Sequence, residues 1–120
     1  MKVRRRSGSR AVVDAIVLDD DMDAIAERDR LVAACIEALD IATTDAIREV
    51  MGRALRDVHV EPVYADGETF DGNRHNAVDV AATGEELMHN RVSETERPGY
   101  TDHGVLIRPP DVVVYRKDRS

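Results

Sequence analysis

The chain has 120 residues, 42% of them hydrophobic but only 3% aromatic, with no Trp and a formal net charge of −7. That length fits one ordinary domain or a small domain with a helical appendage, and the aliphatic composition makes for a core that is small or shared with a second copy. The acidic balance argues against a phosphate-backbone binder, because affinity there comes from clustered Lys and Arg.

The first ten residues are the basic exception. "KVRRRSGSR" carries Gly and Ser among its arginines and reads as a flexible basic tail over 1–10 rather than a nucleic-acid or membrane arm. Residues 11–39 contain neither Gly nor Pro. Ala15, Leu18, Met22, Ile25, Asp29, Val32, Ile36 and Leu39 follow alternating steps of three and four, the spacing of a heptad seam interrupted at Asp29. Asp19, Asp20 and Asp21 within this run read as a helix start, a break or a solvated face. Cys35 has no partner for an internal disulfide and reads as a small buried hydrophobe. No apolar run reaches membrane-spanning length and no signal peptide is evident, so the expected location is cytoplasmic.

"TTDA" supplies capping residues for a second, shorter helix, whose stripe is Ile47, Val50, Met51, Ala54, Leu55 and Val58. Two such helices cannot seal an interior alone. A symmetric dimer contributing four helices would bury both stripes, and so would packing against the C-terminal half. The helical dimerisation region is accordingly placed at 11–57.

Near Val58 the period changes, and 58–120 reads as a small β domain. In "VHVEPVYA" Pro62 belongs at a sheet edge or a bulge. Further strands are expected at "AVDVAA", "NRVSETE", "GVLIR" and "DVVVYR", with turns at Asp66-Gly67, Gly84, Pro98-Gly99 and Asp102-His103-Gly104. Val112, Val113 and Val114 are the best candidate for a strand buried on both faces, and residues 85–88 fit a single helical turn. The fold class is therefore α+β: N-terminal helices, one coiled-coil-like and one bundle-like, followed by an all-β domain.

Little here points to chemistry. The histidines at 59, 75, 89 and 103 are separated by 16, 14 and 14 residues and match no metal-ligand spacing. No nucleophile elbow or phosphate-cradling glycine loop is present, so no cofactor or metal is expected. Asp71 and His75, in "FDGNRHNAV", could form a proton relay or hold a metal. The stronger reading makes Asp71 a turn former accepting backbone N–H bonds, with His75 packed or hydrogen-bonded behind it. The chain is read as a non-enzymatic helical dimer carrying a β domain.

Four blocks, "DGETFDGNRHNAV", "PGY" at 98–100, "GVLIRPP" at 104–110 and "DVVV" at 111–114, resemble in order and spacing the signature segments of the GrpE family, nucleotide exchange factors of DnaK-type chaperones. The resemblance covers about residues 44–116. It implies a parallel homodimer whose β domains bind the chaperone's ATPase domain and promote ADP release, in a cytoplasmic stress-response and protein-folding role without membrane or nucleic-acid binding. It places Phe70, Val105, Val114 and Arg108 at the partner-binding surface. Asp71, His75, Gly99 and Tyr100 become supports of the β-domain loops. Leu18, Met22, Ile25, Val32, Ile36, Leu39, Ile47, Val50 and Met51 become dimerisation positions. His59 stands where the family tends to have Gly, Gly72 replaces the Pro of Phe-Asp-Pro, and Val105 takes the place of a frequent Arg. Those departures motivate an alternative, a GrpE-like dimeric scaffold that binds another protein without exchange activity.

Overall fold

The computed structural model describes the backbone of residues 10–118 and the side chains of residues 20–118. The basic stretch 1–9 and the side chain of Leu18 lie outside the described residues. The chain separates into two compact units, one ending at Ile41 and the other running from Ala42. The sequence-based boundary at 57/58 differs, because the second helix packs against the first strand and so belongs to the β unit.

Helix α1, Arg10–Ile41, is 32 residues long, about 48 Å at the α-helical rise. It runs uninterrupted through the aspartates at 19–21, which therefore mark neither a start nor a break. The heptad seam divides in two: Val32 and Ile36 are buried, whereas Met22 and Ile25 are 66% and 57% exposed.

Helix α2, Asp45–Asp57, begins as its sequence dictates. Thr44 is extended at φ −115° and its hydroxyl accepts the Ile47 N–H at 3.4 Å, while Asp45 sits in the positive first turn. Leu55 anchors its inner face, and Ile47 and Val50 remain exposed. The helix ends at Val58, and His59 follows with φ +66°, a left-handed conformation that Gly adopts freely and His adopts at a cost.

Six strands form two three-stranded sheets among the described residues. They are β1 Val60–Val63, β2 Asn76–Thr83, β3 Val92–Arg97, β4 Gly99–Asp102, β5 Val105–Arg108 and β6 Asp111–Lys117, with a single 3-10 turn at Glu86–Met88. One sheet has the order β1-β4-β5 and is antiparallel throughout; the other has the order β2-β6-β3, in which β2 and β6 run parallel. Pro62 thus sits on an edge strand, where a missing N–H is tolerated, and the valine-rich β6 is central.

The turns follow from local chemistry. Glu68 N–H closes on the Ala65 carbonyl at 3.0 Å with Gly67 at φ +82°, the third-position geometry of a type II turn. Between β4 and β5 only His103 and Gly104 intervene, both with positive φ (50° and 83°), as a type I′ hairpin requires. Val92, Val112 and Val114 with Ala65 form the core of the β unit, and Phe70 packs against it.

Candidate partner-binding surface

The loop carrying Phe70, Asp71 and His75 is held from inside. The Asp71 carboxylate accepts the Asn73 N–H at 2.9 Å, and the Asp71 carbonyl accepts the N–H groups of Arg74 and His75 at 2.9 and 2.8 Å. The His75 ring, in a residue 5% exposed, takes the Asp71 N–H on Nδ1 at 3.0 Å. Its Nε2 then carries the proton and donates to Glu68 Oε1 at 3.2 Å. The Asp71 carboxylate and the imidazole do not form a relay: what joins the two residues is a backbone N–H and a ring nitrogen. The Phe70 ring lies 5.9 Å from that of His75, closing the loop on its apolar side. Glu68, the second anchor of His75, had no distinguishing signal in the sequence. Among the described residues no group of three or more His, Cys, Asp or Glu could hold a metal ion.

Gly99, Tyr100 and Arg108 build a second support. Besides the long connection from β1 to β2, the chain passes from one sheet to the other at two short crossings, Pro98 between β3 and β4 and Pro109-Pro110 between β5 and β6. The two crossings press together. A Cβ on Gly99 would lie 2.5 Å from the Arg108 carbonyl oxygen and 2.6 Å from Pro110 Cδ, closer than any real side chain approaches. Arg108 fastens the crossings by donating from Nη2 and Nε to the Pro98 carbonyl at 2.6 and 3.2 Å, its guanidinium 5.2 Å from the Tyr100 ring centre. Its charge is used within the fold.

The four residues expected at a partner-binding surface separate. Val114 is 0% exposed and belongs to the core, so it has no surface to present; the expectation for it is corrected. Phe70 is partly buried against that core, and Arg108 is half-buried in its clamp. Only Val105 is open, at 66% exposure. Its neighbours Leu106 and Ile107 are exposed as well. The signal for their exposure is positional: β5 is a four-residue edge strand. The helical positions also divide. Met22, Ile25, Ile47 and Val50 stand exposed, Leu39 and Met51 are half-buried, and Val32 and Ile36 are buried.

None of the described helices is long and apolar enough to cross a membrane. The GrpE family model matches residues 14–116, a span that takes in most of α1, all of α2 and nearly all of the β unit. The chain is also similar to Protein GrpE of Enterococcus faecalis, 36% identical over 61 residues that make up 51% of this chain and 34% of that protein. With a match running through helices and sheets alike, the chain belongs to the GrpE family.

Proposed function

We propose that this chain is a homodimeric co-chaperone that binds the ATPase domain of a DnaK-type chaperone and promotes ADP release. Family membership across residues 14–116 carries the reading. The exposed apolar side chains Met22, Ile25, Ile47 and Val50 supply faces for a second copy. The open row Val105, Leu106 and Ile107 on β5 supplies a surface for the ATPase domain, while Phe70, packed against the core of the β unit, holds its own loop in shape. A protein acting this way makes and breaks no covalent bond. It binds the open nucleotide cleft more tightly than the closed one and shifts the population by that difference in affinity.

The test is stopped-flow release of fluorescent ADP from the host's DnaK-type chaperones, with and without this protein. Release accelerates, and Val105→Glu, which puts a charge where the row is apolar, lowers the apparent affinity by about tenfold or more. Val105 occupies a position where the family often has Arg, and it favours a second reading, a dimeric scaffold that has lost exchange. Tight binding to a chaperone, or to another protein, without faster ADP release selects that one.

A further inference from the structure

The sheet β2-β6-β3 has two outer strands, and the chain treats their edges differently. Along β3 the loop at 65–69 closes the edge. Gly67 N–H donates to the Val92 carbonyl at 2.9 Å, Val92 N–H to the Glu68 carbonyl at 2.8 Å, and Thr95 N–H to the Asp66 carboxylate at 3.0 Å. Strand β2 is the longest of the described strands, at eight residues, and among them it pairs with β6 alone. Val78 and Val80 are 46% and 57% exposed, and Asp79 between them is exposed as well.

The ladder fixes which way the backbone of β2 points. Asn76 N–H donates to the Pro110 carbonyl at 2.9 Å, and the Thr83 carbonyl accepts the Asp118 N–H at 3.0 Å, so both residues face β6. Counted by twos from Thr83, Ala81 and Asp79 face β6 too, and the peptide groups of Val80 and Ala82 face the open edge. The outward Val80 N–H is taken by the carboxylate of its own neighbour, Asp79 Oδ1, at 2.8 Å. A register shift between Ala77 and Asp79 puts a bulge just before this point, which twists the start of the edge.

We propose that Asp79 closes the β2 edge to a second copy of this chain. A second β2 laid antiparallel about a two-fold axis at Val80 would exchange the two outward Val80 peptide groups and join the two sheets into one. The Asp79 carboxylate opposes that pairing in two ways. It already holds the N–H that the second strand needs. In the joined sheet it would also stand diagonally across from its own copy, like charge beside like charge on one face. The inference goes beyond exchange activity, and its test needs no chaperone.

Sedimentation of the full chain over a range of concentrations reads the effect as mass above that of the wild type. Asp79→Ala tightens association through β2 about thirtyfold, from two freed N–H groups at roughly fivefold each. In dilute solution, before copies meet, the Val80 amide of Asp79→Ala exchanges about fivefold faster than in the wild type. Adding Val80→Pro, which removes the outward N–H and is tolerated on an edge, returns the mass to that of the wild type. Ala82→Pro, at the next outward position, serves where the first double variant folds poorly. The proposal is overturned if Asp79→Ala keeps the wild-type mass at millimolar chain concentration. Equal exchange at Val80 in the two proteins, or extra mass that survives the proline, overturns it as well.

Discussion

Strands β5 and β6 are neighbours in the chain, separated only by Pro109-Pro110, and each carries three consecutive aliphatic residues. Their environments are opposite. Val112, Val113 and Val114 are buried in the middle of one sheet, while Val105, Leu106 and Ile107 lie exposed on the edge of the other. Composition does not separate them. Position in a sheet does: β6 pairs on both sides and packs against the core cluster, whereas β5 pairs only with β4. An apolar strand therefore lies in the core or on the open surface according to how many neighbours it has.

The comparison is broken most severely at the double crossing that sends β5 and β6 to different sheets. Gly99→Ala forces a methyl group into the backbone at Arg108 and Pro110, and we expect a loss of about 3 kcal/mol or more, seen as a collapse of the urea midpoint. Next comes the loop beneath the core. His75→Ala removes the ring acceptor of the Asp71 N–H and opens a void beside Phe70, for a loss of about 2 kcal/mol by the same measurement. The sharpest form is a matched pair. Val114→Ala costs about 2 kcal/mol of stability, because its methyl groups leave a filled core. Val105→Ala, on the edge, stays within about 0.5 kcal/mol and changes partner affinity instead. Equal costs for the two would remove the distinction between the strands.

Much of this architecture was legible because it is written locally. Asp66-Gly67 and His103-Gly104 specify turns by the backbone angles they permit, Pro62 fits an edge, and Thr44 caps a helix. The seam of α1 was legible as periodicity, although periodicity does not say which half of it is covered. What could not be read depends on distant pairing. The parallel alignment of β2 with β6 joins residues 76–83 to 111–117, and nothing in either segment names the other. The place of Val114 in the core follows from that non-local pairing, whereas the exposure of Leu106 follows from the edge position of β5 in the other sheet. The His75 ring bonds both to the Asp71 N–H and to Glu68, and Glu68, its second anchor, is visible only in three dimensions. The unit boundary at Ile41 was hidden for a similar reason: α2 looks like a continuation of the helical region until β1 is seen packed beside it.

Pro62 has a consequence for self-assembly. A three-stranded sheet with two open edges can be extended at both, and copies joined edge to edge in that manner grow without limit. Here β1 is four residues long and one of them is a proline, so that edge lacks an N–H in an already short run. The sheet can take on a strand at β5 but gives a poor template at β1. Addition then stops after one step, and an apolar edge stays available for recognition without becoming the seed of a fibre.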